Sequence, residues 1–216
     1  MTVAIVQARL DSTRLPGKVM RLIGDYPAIF HTYWRVKAAV RNTVVAVPHK
    51  DKTLRDYLTA SNINHISWDG PENDVLGRYA HVLTKFRDTR VVRITGDCPF
   101  IDPHIISQML CMKGSYVTNT VERTLPKGLD CEIMDRGLLE AADKEATLPY
   151  DREHVTPWIR EHNSVTNFLW DTDHSDKRWV LDTEEDLKWF KWVAERTTVY
   201  PPNPTFFKLL QLIRES

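Results

Sequence analysis

The stretch that decides the fold is Val3-Ala4-Ile5-Val6, which stops at Gln7 and opens into Arg9-Leu10-Asp11-Ser12-Thr13-Arg14-Leu15-Pro16-Gly17-Lys18. A short unbroken apolar run reads as a strand buried on both faces, as in a parallel sheet. The polar segment behind it reads as a loop. Outward from this point the pattern alternates. Ile29, Tyr33, Val36 and Val40 recur at helical spacing, and Thr43 to Val47 is a second β-branched run closed by Pro48. Asp51 to Ala60 reads as a helix capped by Asp51. His65 to Trp68 is a third strand; Val75, Tyr79, Val82 and Phe86 mark a helix; Arg90 to Thr95 is a fourth strand; Pro103 to Met112 is helical. Strands alternating with helices predict an α/β fold with a mostly parallel sheet and right-handed crossovers that cover both faces.

The remainder is less regular. Ser115 to Thr118, Cys131 to Met134, Ser164 to Trp170 and the run Trp179 to Leu181 are strand candidates. Leu138 to Glu145, Asp151 to Glu161 (with Asp151 as cap), a segment through Leu187 and Trp192, and Thr205 to Ile213 read as helices. Pro201, Pro202 and Pro204 break the chain before the last of these. The expected organisation is a single α/β domain over 1–216. A soft boundary near Gly114 separates a nucleotide-binding half, 1–114, from an acceptor-binding and dimerisation half, 115–216.

Composition bounds the function. The chain has 216 residues, 42% apolar and 27% charged, with 29 Lys plus Arg against 29 Asp plus Glu. This is globular composition, and the charge balance predicts neither a nucleic-acid footprint nor a basic membrane surface. The three cysteines, Cys98, Cys111 and Cys131, show no C-x-x-C pair, so no disulfide framework or structural zinc is expected and a reduced, cytoplasmic protein is. No signal peptide and no membrane span are expected.

Ligands of open α/β sheets bind beyond the carboxyl ends of the strands. Arg9, Arg14 and Lys18 in the first such loop suit a polyphosphate, since arginine grips phosphate through a planar fork and lysine adds a point charge. The alternative is a solvated loop with scattered cations. Known phosphate loops do not match. A P-loop needs G-x-x-x-x-G-K-[ST], and here Ser12 replaces the first Gly and Val19 the Ser or Thr; a dinucleotide fingerprint fails because Gly17 is the loop's single glycine. Asp97, in Thr95-Gly96-Asp97-Cys98-Pro99, stands where a carboxylate reaches a metal bridging phosphates. Asp182 ends another apolar run in the same way, or else caps the helix that follows.

Read together, these residues resemble a family. Ala4 to Lys18 is similar to the opening motif of sugar-acid cytidylyltransferases, which activate 3-deoxy-manno-octulosonate and acylneuraminates as CMP-sugars, and most similar to their spore coat polysaccharide branch. Asp69 to Tyr79, Arg93 to Pro99, Pro126 to Asp130, Tyr150 to Pro157 and Leu181 to Leu187 follow in the matching order. The resemblance implies a nucleotide-diphospho-sugar transferase-like (Rossmann-like) three-layer α/β/α sandwich, often a homodimer. The activity it implies is Mg²⁺-dependent transfer of CMP from CTP to an acidic sugar, releasing pyrophosphate. By position it assigns Arg9, Arg14 and Lys18 to the triphosphate, backbone groups of Ala8 and Leu10 to cytosine or ribose, and Asn73 and Asp74 to the wall beside them. Asp97 and Asp182 would hold Mg²⁺; Lys127, Asp130, Arg152 and His154 would face the acceptor; Lys18, Arg9 and Asp97 would carry the catalysis. Asp11 departs from a frequent Gly, and Cys98 from a frequent Glu. Two other readings use the same fold: a non-catalytic nucleotide-binding protein, and a glycosyltransferase that consumes a ready-made nucleotide sugar.

Other constellations have plainer readings. Asp171-Thr172-Asp173 reads as a surface turn rather than a metal motif. Cys98 reads as a buried thiol rather than a nucleophile. Trp189, Phe190 and Trp192 read as packing under the last helix rather than a dimer contact. The remaining histidines lack metal spacing.

Overall fold

The computed structural model describes residues 1–201 and 203–214; Pro202 lies outside the described residues. In chain order the elements are β1 (Thr2–Gln7), β2 (Leu22–Ile23), β3 (Tyr26–Pro27), α1 (Ala28–Ala39), β4 (Asn42–Pro48), α2 (Lys52–Ala60), β5 (His65–Trp68), α3 (Val75–Leu83), β6 (Arg90–Thr95) and α4 (Pro103–Leu110). They continue with β7 (Tyr116–Thr118), β8 (Glu132–Asp135), α5 (Arg136–Glu145), α6 (Pro149–His154), α7 (Pro157–His162), β9 (Thr166–Asn167), α8 (Glu184–Arg196) and α9 (Phe206–Arg214).

β1 is the axis of the molecule. It pairs in parallel with β4 on one side and β6 on the other. Val3, Ala4, Ile5 and Val6 are fully buried, and because strand side chains alternate, they feed two cores. Ala4 and Val6 join the core under α1, α2, α4, α8 and α9; Val3 and Ile5 join the core under α3, α5 and α7. The result is the expected three-layer α/β/α sandwich. Its sheet runs β5-β4-β1-β6-β8-β7-β9, with β8 antiparallel to both neighbours. β8 inserts between β6 and β7, so the residues beyond Gly114 complete the same sheet.

Four expectations are corrected. The helix read over Asp151 to Glu161 is two short helices, whose N-cap positions fall on Leu148 and Thr156 rather than on Asp151 and carry no side-chain capping bond. Pro157 lacks an amide hydrogen and must restart a helix at its first turn, and Val155 turns the corner at φ 72°. The strand read over Ser164 to Trp170 shrinks to Thr166–Asn167. Trp179 to Leu181 is not a strand: it runs beside the loop around Lys127, with the Trp179 amide donating to the Lys127 carbonyl at 2.6 Å. Gly128, at φ 107°, permits this approach, since a Cβ there would lie 2.3 Å from the Trp179 carbonyl. Finally, Asp51 occupies the cap position of α2 but makes no capping bond. The β2–β3 hairpin, turning at Gly24 with φ 61°, went unread because strands of two residues carry no periodicity.

Candidate active site

The site lies beyond the carboxyl ends of β1 and β6. The Gly96 amide donates to the Gln7 carbonyl at 2.8 Å, and a Cβ on Gly96 would sit 2.9 Å from that oxygen. Glycine therefore lets the β6 loop cross tightly over the end of β1, which aims Asp97 at the β1 loop. The third segment of the arrangement is the run around Trp179: the Leu181 amide donates to the Asp97 carbonyl at 2.8 Å, setting Asp182 beside Asp97. The cap of α8 is Thr183, in a reciprocal capping box with Asp186, so the Asp182 carboxylate is left to face the site.

Lys18 joins the two carboxylates. Its ammonium lies 2.5 Å from Asp97 Oδ2 and 2.8 Å from Asp182 Oδ1. Asp182 also pairs with Arg14, and with Arg178 at 3.2 Å. Burial alone would lower the pKa of Lys18, but the attraction of Asp97 and Asp182 outweighs it and holds it above the ordinary lysine range. Asp182 is held below the usual carboxylate range in return: burial pushes up, and Lys18, Arg14 and Arg178 pull down further. Gly17 serves this loop by its φ of 65°, and no protein atom lies within 4 Å of where its Cβ would be.

The other expected nucleotide residues divide. Arg9 lines the cleft beside Ala8, Lys18 and Asp97, with Asn73 Oδ1 at 3.4 Å and Glu153 Oε1 at 3.8 Å. The Leu10 amide is already engaged, donating to Asp51 Oδ2 at 2.7 Å, while its carbonyl accepts from the Gly17 amide at 3.0 Å. The Ala8 amide donates to the Ala46 carbonyl. Asp74 caps α3 through the Gly77 amide and binds the Arg152 guanidinium through both oxygens, at 2.8 and 2.9 Å. Asp143 takes the same guanidinium at 2.7 Å. Asp74 and Arg152 thus clamp α3, α5 and α6 together.

A second cleft adjoins the first, and Arg93, Thr95 and His154 line both. His154 is exposed, its ring 4.5 Å from that of Tyr150. Asp130 lines the second cleft but is neutralised by Arg123, at 2.6 and 3.2 Å. Lys127 is exposed outside that lining.

Three residues of the floor were missed from sequence. Glu132, 2% exposed, accepts from the Tyr116 hydroxyl, from Arg93, and from Thr156 Oγ1 at 2.9 Å, with Arg160 at 3.8 Å. Burial pushes Glu132 up, but Arg93 and these hydrogen bonds hold it below its ordinary value. Arg93 is raised in turn: burial opposes its charge and Glu132 overcomes that. The signal was present as a lone charge inside two apolar strands, Val91-Val92-Arg93-Ile94 and Cys131-Glu132-Ile133. Arg78, 1% exposed and lining the first cleft, was also missed; burial and then Arg9 lower its pKa. Burial raises the Cys98 thiol well above its usual value, so it stays protonated. Asp173 takes the Ser175 amide in a surface turn.

Does this set suit a divalent cation? Among the described residues no cluster of three or more His, Cys, Asp or Glu side chains forms a complete cage. Two carboxylates converging on one positive charge do fit Mg²⁺, which keeps several waters and shares its remaining positions with phosphate.

Comparison with known proteins agrees with this geometry. The chain is 30% identical to the spore coat polysaccharide biosynthesis protein SpsF of Bacillus subtilis (strain 168), over 91% of this chain and 88% of that one. It is 25% identical to 3-deoxy-manno-octulosonate cytidylyltransferase 2 of Hydrogenovibrio crunogenus, over 71% and 68%. The solved structure of a cytidylyltransferase from Leptospira borgpetersenii superposes with a TM-score of 0.90 at 29% identity, covering 99% of this chain and 94% of that one. The cytidylyltransferase family model matches residues 3–190, a span that holds Lys18, Asp97 and Asp182 alike, and the chain belongs to that family.

Proposed function

We propose that the protein transfers CMP from CTP to a small acidic, sugar-acid-like acceptor, releasing pyrophosphate and requiring Mg²⁺. The observation that carries this reading is Lys18 held between Asp97 and Asp182 at the mouth of the parallel strands, beside a cleft that continues into a second one. Arg9, Arg14 and Lys18 hold the triphosphate and neutralise the departing pyrophosphate. Asp97 and Asp182 hold Mg²⁺, which when bound supplies charge neutralisation and a lowered pKa for an attacking hydroxyl. Arg78, Asn73 and the backbone of Ala8 and Leu10 wall the base and ribose; the Leu10 amide is taken by Asp51, while its carbonyl keeps a second lone pair beyond the one that accepts from Gly17. The acceptor lies in the second cleft against Asp130 and His154, and His154, lining both clefts, is placed to relay its proton. Phosphoryl transfer of this kind rests on positioning and electrostatics more than on covalent chemistry. A supply of CTP and three free thiols suit the cytoplasm, and the assembly is a homodimer, which size-exclusion chromatography with light scattering tests. Among the described residues no helix is long and apolar enough to cross a membrane.

The first experiment is a thermal-shift titration with CTP, UTP, ATP and GTP, each with and without Mg²⁺. At 100 times its dissociation constant a ligand adds about 2.7 kcal/mol of stability. A Mg²⁺-enhanced shift with CTP alone, followed by pyrophosphate release with acidic sugars, supports the proposal. Stabilisation without pyrophosphate release points to a binding protein, and release of a nucleotide from a CMP-sugar to a glycosyltransferase. No shift with any triphosphate overturns it.

A further inference from the structure

We infer that the Lys18 ammonium is the resident cation of the Asp97–Asp182 pair in the nucleotide-free protein, so that a divalent cation enters only as Lys18 leaves toward phosphate. The inference rests on the proposed role of those two carboxylates and adds an order of events to it.

The geometry is that of a stand-in ion. One ammonium contacts both carboxylates, at 2.5 and 2.8 Å. The three side chains are 16%, 18% and 13% exposed, so water screens them little. Lysine suits such a post because it is a compact charge with rotatable donors on a flexible stem. The stem springs from a single 3-10 turn, Lys18–Met20, held by buried Val19 and entered through Gly17. The side chain can therefore swing while the backbone stays.

Charge decides the order. Asp97, Asp182 and the neighbouring Asp186 bring three negative charges, and Lys18, Arg14 and Arg178 already match them with three positive ones. A divalent cation arriving alone adds positive charge to a region already compensated, and must also break the Lys18 contacts. A triphosphate reverses the balance: it draws Lys18 and Arg14 onto its own oxygens and frees the carboxylates. Metal and nucleotide thus assist each other through the lysine, and by linkage that coupling is reciprocal.

The test uses Mn²⁺ as the probe, followed by electron paramagnetic resonance with no nucleotide present. Wild-type protein should bind Mn²⁺ feebly. Lys18→Met and Lys18→Gln should each bind it at least tenfold more tightly, within the usual span of such couplings. Mn²⁺ should also raise the melting temperature of these variants more than that of wild type, which shows that they fold. Adding Asp97→Asn to Lys18→Met should abolish the gain. Equal or weaker Mn²⁺ binding by both Lys18 variants overturns the inference. The underlying reading fails separately: if Asp97→Asn leaves Mn²⁺ binding in the presence of CTP unchanged, those carboxylates do not hold the metal at all.

Discussion

The two clefts that meet at Arg93, Thr95 and His154 are built from opposite kinds of charge. In the first, Lys18, Arg14 and Arg9 rest against carboxylates or amides from distant elements, partners that the phosphates and metal of the proposed nucleotide would replace. In the second, the central charges are closed on one another: Glu132 is enclosed by Arg93, Tyr116 and Thr156, and Asp130 by Arg123. The difference teaches where folding and chemistry divide. Exchangeable ion pairs store charge for a ligand. A buried pair whose members sit side by side in the β6–β8 ladder, Arg93 against Glu132, holds the sheet in register.

The largest effect should come from breaking the closed side. Glu132→Ala leaves Arg93 buried without its counter-charge, a loss of about 3–5 kcal/mol. For a chain of this size each kcal/mol lowers the melting temperature by about 2–4 °C. Glu132→Gln separates the contributions, because it keeps acceptors for Tyr116 and Thr156 while removing the charge. Urea unfolding measures both. Wild-type stability in Glu132→Ala would erase the distinction between the clefts.

Next comes the exchangeable side. Lys18→Ala and Asp97→Asn should each lose about 2.7–4 kcal/mol of transition-state stabilisation, roughly 10²–10³ in kcat, while the circular dichroism spectrum and cooperative unfolding persist. Asp182 keeps Arg14 and Arg178 when Lys18 is gone. Wild-type-like turnover in either variant sinks the catalytic assignment; an unfolded Asp97→Asn would make this cleft structural too.

The exchangeable side was also the legible one. Val3 to Val6 and Arg90 to Thr95 announce themselves because parallel strands buried on both faces read as apolar runs, and Asp97 follows from its place at a strand end. Lys18 follows from its loop. What could not be read is partnership across the chain. Arg93 finds Glu132 through an antiparallel register that no local pattern encodes, and Asp182 reaches Asp97 through Trp179 to Leu181, an apolar run that mimics a strand. The partner of Arg152 was illegible for a related reason: a motif carries residue types, whereas the bidentate pairing with Asp74 depends on how α3 and α6 pack. The break at Val155 had a readable sign in Pro157, overridden by the helical look of its flanks.

Acid stability needs a reference away from both clefts, and His31 supplies it. The ring is fully buried under the hairpin, with Nε2 2.9 Å from the Ile23 carbonyl, and burial lowers its pKa from 6.5 to about 4. The unfolded chain takes up this proton near pH 6.5 and the folded one only near pH 4. Stability is therefore complete above pH 6.5 and falls as pH drops toward 4, by about 3 kcal/mol from this group. Urea midpoints across that window should slope downward in wild type and flatten in His31→Gln. An unchanged slope would assign the loss to other groups. Glu132 and Asp182, both held below their ordinary values, contribute stability that is lost at lower pH, as each is protonated.

The smallest effect should sharpen the comparison most. Asp51 belongs to neither cleft, yet its carboxylate holds the Leu10 amide at 2.7 Å while lying 6% exposed. Together with the Gly17-to-Leu10 bond it fixes the loop that carries Arg9, Arg14 and Lys18. Asp51→Ala should orphan that amide, costing about 1–3 kcal/mol, and the cost should appear as weaker CTP binding beyond any loss of stability. Asp51→Asn retains an accepting oxygen and should restore most of the affinity. Because Asp51 makes no capping bond to α2, losing it should leave that helix intact. If Asp51→Ala lost stability but bound CTP as wild type does, the loop would be placed by its own turn at Gly17. The exchangeable cleft would then be preorganised from within its loop, with no help from the cap position of α2 beside it.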